Sequence, residues 1–241
     1  MSHANTEAAK SGGGLMEDVI NIFIKPTSAF ENNRNASFVK PALVQMVILT
    51  ALAFALNNLI SPYLDADFQR GVTLAAQKGT PMPAQAVAMG AKFAGYSLFA
   101  IGILGPWLTA IFGGLFTWIG ARIVGAKLTY GQSATVASWS AFPSILAFIT
   151  MGILGVLADP TTVRGVTDAQ LGPGRFVDPM TTPPVLLTLL QSLDLFSIWT
   201  VVLLGIGVAV VARVSTGTGM IASVIKWALV ALFTVGAAAL R

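Results

Sequence analysis

The chain has 241 residues, 55% of them hydrophobic and only 10% charged, with a formal net charge of +4. A soluble domain carries about 25% charged residues, so a soluble globular fold is excluded, and weak basicity without a Lys/Arg-rich run gives no footing for nucleic acid. The absence of cysteine and the single histidine, His3, remove disulfides, thiolate metal sites, haem ligation by histidine and imidazole-based catalysis, so no metal or cofactor is expected.

The mean hydropathy is +0.76, and the charges are unevenly placed. Five windows, between Lys40 and Asp65, Lys92 and Arg122, Lys127 and Asp159, Asp194 and Arg213, and Arg213 and Arg241, total 129 residues and hold one charge, Lys226. A hydrocarbon core about 30 Å thick needs roughly 20 apolar residues in helix. The expected fold is therefore all-α, an integral membrane bundle of five transmembrane helices with the lipid bilayer as its solvent.

Residues 1–13 are expected to form a disordered tail, and residues 14–241 one membrane domain. No short apolar stretch with a cleavage site follows the polar start, so no signal peptide is expected. Residues 14–25 place Leu15, Val19, Ile20, Phe23 and Ile24 on one helical face, with Glu17, Asp18, Asn21 and Lys25 opposite. This predicts an N-terminal amphipathic helix in the membrane interface, ended by Pro26. Phe30 follows, either as an interfacial anchor or packed against the bundle.

The first span is expected at 41–60, opened by Pro41, with Asn57 and Asn58 near its far end. Residues 61–91 read as a loop containing a short surface helix, with a second helix starting at Thr80-Pro81. The second span, 93–120, contains Gly105-Pro106 and reads as one long helix bent at Pro106. Its glycines permit close helix approach; the alternative is a broken-helix binding site. The third span, 129–157, is expected as a single helix through Pro143. Its first half, rich in Ser, Thr and Ala, suits helix packing or, alternatively, a polar pathway. Residues 183–193 read as a membrane-hugging helix. The fourth span, 195–212, carries a small-residue face at Gly205 and Ala209, and the fifth is expected at 220–240.

Two ionisable residues invite a role. Asp194 opens the fourth span, where a carboxylate caps free N–H groups; a subunit contact is the alternative. Lys226 lies about six residues into the fifth span, close enough to snorkel to headgroups; the alternative is a buried functional cation. The two are expected near opposite faces of the membrane. If the N-terminus is cytoplasmic, inside segments carry five cations in 31 residues and outside segments five in 69. This favours a cytoplasmic N-terminus and a C-terminus on the opposite side. No paired carboxylates, phosphate loop or activated serine appears, so no catalytic residue is expected.

The order of these features, with YGQSATVASWSAFPSIL at 130–146 and LDLFSIWTVVLLGIGVAVVARVSTGTG at 193–219, resembles the Yip-domain family, five-span relatives of Ypt- and Rab-interacting proteins. The second segment is close to the family pattern Leu-Asp-x-Phe-x-x-Trp followed by an apolar Gly-containing helix and a basic residue. It singles out Asp194, Phe196, Trp199 and Arg213; Pro106, Pro143 and Lys226 complete the candidate interaction or structural residues. The resemblance implies an all-helical fold with a cytosolic N-terminus. Eukaryotic members are linked to Rab-type GTPases, but the short N-terminal region departs from that branch, and a GTPase partner is not carried over. The chain looks like prokaryotic members, which implies a bacterial inner membrane location. The expected function is a non-enzymatic membrane scaffold or adaptor that contacts other membrane proteins or itself, or organises the membrane. The alternative is a small-solute or ion transporter or channel using the second and third spans.

Overall fold

The structure, a computed structural model, describes residues 14–239. The expected tail at 1–13, with His3, and the C-terminal Arg241 lie outside the described residues. Among the described residues the elements are helical and none is a strand. Five helices are long and apolar enough to cross a membrane, as the charge-free windows require.

The N-terminal pair is α1 (Leu15–Ile24) and α2 (Pro26–Asn32), broken at Lys25 because Pro26 takes the first position of α2. The amphipathic helix is present, but its buried face differs from the one the apolar pattern selects. Asp18 and Ile22 are buried, whereas Met16, Ile20 and Ile24 are exposed. Asp18 turns inward because the Lys40 ammonium lies 3.6 Å from its carboxylate; a buried charge demands such a partner. Phe30, on α2, is 1% exposed and packs into the bundle rather than anchoring in lipid. The Arg34 guanidinium donates to the Val211 carbonyl at 2.7 Å, which ties this segment to the C-terminal end of the fourth span.

The first spanning helix, α3 (Val39–Gln77), is 39 residues long and carries Pro62 inside it. The expected loop after residue 60 is therefore a correction: the chain stays helical for 17 residues past Ile60, about 25 Å. Pro62 forfeits one backbone bond, but α3 packs along α4 (Ala84–Leu108), which holds the helix through it. The Gly102 position of α4 meets the backbone of Leu49 and Thr50, so the absent Cβ lets the two helices touch.

Pro106 does not end α4. The chain passes into a π-helical segment, Thr109–Gly113, and then α5 (Gly114–Ile123). The irregularity expected at Gly105-Pro106 thus appears as a wide turn three residues later. Its loosened carbonyls are satisfied by side chains: Tyr130 Oη donates to Ile111 O at 2.9 Å and Thr117 Oγ1 to Gly113 O at 2.7 Å.

The third span is two helices, α6 (Tyr130–Ser140) and α7 (Pro143–Leu157), joined at Ala141–Phe142. This corrects the single-helix expectation. Pro143 has no N–H, so it begins a helix more readily than it continues one. Helix α8 (Pro184–Gln191) precedes α9 (Leu195–Ala212), and α10 (Thr216–Ala239) completes the set. Helices α9 and α10 pair through Gly205, Ala209 and Gly219, the small-residue face expected of the fourth span.

Helix α6 stands at the centre. Ser133 through Ser140 are eight consecutive buried residues, flanked by α3, α5, the π segment and α9. Around it the main core gathers Phe30, Leu49, Trp139, Phe142, Leu204 and Val208.

Candidate functional site

A buried helix with five hydroxyl residues needs a partner for each hydroxyl. Ser133 donates to Thr129 O, Ser138 to Ala134 O and Ser140 to Val136 O. Thr135 donates to both Gly131 O and Ala36 O, at 2.9 Å each. The start of α6 carries a capping box between Thr129 and Gln132, which satisfies the first-turn donor that would otherwise be open. The Gln45 amide of α3 donates to Ser138 O at 2.6 Å, where the helix is about to break. Polar side chains here staple helices and their own backbone.

The second polar concentration lies at the far end of the bundle, on the face opposite the N-terminal pair. Asp194 is the N-cap of α9: its Oδ1 accepts from Phe196 N at 2.9 Å and Ser197 N at 3.4 Å. Its Oδ2 accepts from Leu171 N at 2.9 Å, and Leu195 N donates back to Leu171 O at 3.1 Å. One carboxylate therefore both starts a spanning helix and fastens the 158–182 loop to it. The same loop is held to α3 by Val166 N, which donates to the Asp67 carboxylate at 3.2 Å, while Asp67 pairs with Arg70. Within the loop Arg164 pairs with Asp168, and these hydrogen bonds hold the arginine pKa above its ordinary value.

Beneath that loop, between α7 and α9, lies a cleft of about 220 Å³ lined by Ser144, Gln170, Asp194, Phe196, Ser197 and Thr200. The Gln170 Oε1 is buried without a hydrogen-bond partner. The cleft offers neutral hydrogen-bonding groups and one carboxylate already committed to backbone donors. With no base beside the serines, it has the makings of a contact surface and no means to activate a nucleophile.

The sequence-selected residues fall in separate places. Asp194 and Phe196 share this cleft. Trp199 lies along α9, where the Phe23 ring of α1 meets it edge-on at 5.5 Å. Arg213 ends α9 in the left-handed conformation, φ 55°. Pro106 and Pro143 are buried at the two helix irregularities. Lys226 is ten residues into α10, because that helix starts at Thr216 rather than 220. Its backbone nevertheless packs beside Gly120, three residues from the Ile123 end of α5, within about 4.5 Å of that helix end along the axis. A lysine stem covers that distance. Among the described residues no ion pair joins Asp194 to Lys226. Sequence reasoning missed Asp18 and Gln45. Gln45 was detectable, as an isolated amide within the charge-free 41–64 window.

A five-span helical bundle with this order of motifs has known counterparts. The Yip1 domain model matches residues 20–238. The chain belongs to the Yip1 domain family. It is also 25% identical over 234 residues to the "Membrane protein YknW" of Bacillus subtilis, covering 95% of this chain and 94% of that protein. No solved structure matches significantly. The match to the Yip1 family spans all five membrane-crossing helices and includes α1 from Ile20 onward, so the N-terminal pair belongs to the domain.

Proposed function

We propose that this Yip1-domain protein is a non-enzymatic membrane scaffold, acting through lateral contacts with other membrane proteins or with a second copy of itself. The observation that carries this reading is α6: eight consecutive buried residues whose hydroxyls are all engaged with backbone carbonyls. A transport path needs polar groups turned toward a cavity. Here the Ser/Thr-rich span spends them on holding the bundle together, and the chain stays helical through Gly105-Pro106. What remains for function is the outer surface, which includes the Asp194 cleft and exposed large apolar side chains such as Phe54, 80% exposed.

The N-terminal face is proposed as cytoplasmic. On the far face Arg70 and Arg164 are each paired with an aspartate, which offsets their charge. On the N-terminal face Arg122, Lys127 and Arg213 have no acidic partner among the described residues. The density of unpaired cations therefore favours that side beyond the raw count.

Purification in a mild detergent tests the scaffold reading. The expected result is a complex whose protein mass, by light scattering corrected for detergent, is well above the 25.1 kDa chain. A strictly monomeric chain with no co-purifying protein would overturn it.

A further inference from the structure

The corner between the last turns of α5 and the first turn of α6 forms an open cleft of about 540 Å³ on the N-terminal face. Arg122 and Lys127 line it, together with Trp118, Tyr130 and Gln132. The Arg122 guanidinium lies 5.1 Å from the centre of the Trp118 ring, a cation–π contact that aims the arginine without neutralising it. Among the described residues neither Arg122 nor Lys127 has an ion pair.

Below the two cations the surface changes character in the order an amphiphile would require. Ile111, Leu115, Trp118 and Arg122 follow one another at spacings of four, three and four residues, which places them along one side of the helix. Ile111 is 46% and Leu115 38% exposed. The stripe thus runs from aliphatic, through an indole, to a guanidinium as it nears the end of the span. Tyr130 closes the other side, its ring reaching down to donate to Ile111 O. A soluble anion would use the cations and leave the stripe idle. A membrane lipid uses both, since its phosphate sits at headgroup level and its chain lies along the hydrocarbon.

We infer that this cleft is a binding site for an anionic glycerophospholipid, whose phosphate is held by Arg122 and Lys127 and whose acyl chain lies along Leu115 and Ile111. Guanidinium and ammonium together suit a phosphate oxygen set, and Trp118 sits where indoles favour the interface.

Native mass spectrometry of the purified full chain tests this, with three probes titrated separately: phosphatidylglycerol, phosphatidylcholine of the same chains, and glycerol phosphate. Phosphatidylglycerol should be retained about tenfold more than phosphatidylcholine, and Arg122→Gln/Lys127→Gln should abolish most of that preference. The charge-conserving Arg122→Lys/Lys127→Arg should restore most of it, and Lys92→Gln, near the opposite end of the second span, should leave it unchanged. If the double glutamine variant does not fold, each single glutamine variant should still weaken retention about threefold. Equal retention of the two lipids, or full retention by the glutamine variants, overturns the site. Binding of glycerol phosphate as tight as the lipid, with the same dependence on Arg122 and Lys127, overturns the lipid assignment in favour of a soluble anion.

Discussion

Asp194 shows how one side chain near a membrane face can decide two structures at once. Its two oxygens accept from three backbone N–H groups, two in α9 and one in the 158–182 loop. Removing an N-cap costs about 1–2 kcal/mol, and here the Leu171 donor is orphaned as well. Asp194→Ala should therefore lower stability by about 2 kcal/mol or more, whereas Asp194→Asn, which keeps an acceptor for the cap, should lose less. Thermal unfolding in detergent separates the two; equal losses would mean the carboxylate acts elsewhere. Arg213 makes the opposite case. It is the one non-glycine with positive φ among the described residues, and its side chain is exposed. A left-handed residue with a Cβ costs about 1 kcal/mol, which glycine avoids. Arg213→Gly should raise the melting temperature, and an unchanged or lower value would show that the arginine earns its position through a contact. Both residues stood out in the sequence, Asp194 by its place before an apolar run. The left-handed turn at Arg213 was not legible, because no glycine marks it.

The long helices differ most from their sequence pattern where charge and proline interrupt hydropathy. Asp65, Asp67 and Arg70 lower the apolar signal after Ile60, and Pro62 reads as a terminator. Yet α3 continues to Gln77 because α4 packs along it and because Asp67 engages Arg70 one turn away and Val166 from the loop. Limited trypsin digestion distinguishes a helix from a loop here. Cleavage after Lys78, at the Gly79 turn, should precede cleavage after Arg70 within the helix, since proteases act on segments that open. Simultaneous cutting at both would contradict the extended helix. Helix α1 carries the same lesson on a smaller scale. Its apolar residues do form a helical stripe, but docking selects the face with Ile22 and Asp18 because Lys40 waits beside it. A hydrophobic pattern in one helix cannot register a cation 22 residues away.

Across the bundle, function follows from which helix is placed innermost. The most polar span, α6, occupies the centre, while the more apolar helices surround it. In lipid this arrangement is favoured: small residues approach closely and hydroxyls find backbone acceptors, whereas leucine-rich faces lose nothing by meeting acyl chains. Gly113 and Gly114 let α5 and the π segment contact Ala137 and Ala134 on that helix. The orientation of the whole is testable with reporter fusions after residues 126, 170 and 241. Those after 126 and 241 should report opposite sides, with 126 cytoplasmic. A cytoplasmic result after 241 would break the five-span count.

Composition and the spacing of charges alone fixed the solvent of this protein and the number of its crossings, because each span must be apolar for about 20 residues whatever it packs against. Motif order placed it among Yip-domain proteins. Only the packed structure decided which polar residues are spent internally. It placed α6 at the core, turned Asp18 inward, divided the third span before Pro143 and set Arg122 and Lys127 around one cleft. Hydropathy records whether a residue tolerates lipid. Which neighbour satisfies it depends on contacts between segments distant in the chain, and those exist only once the helices have assembled.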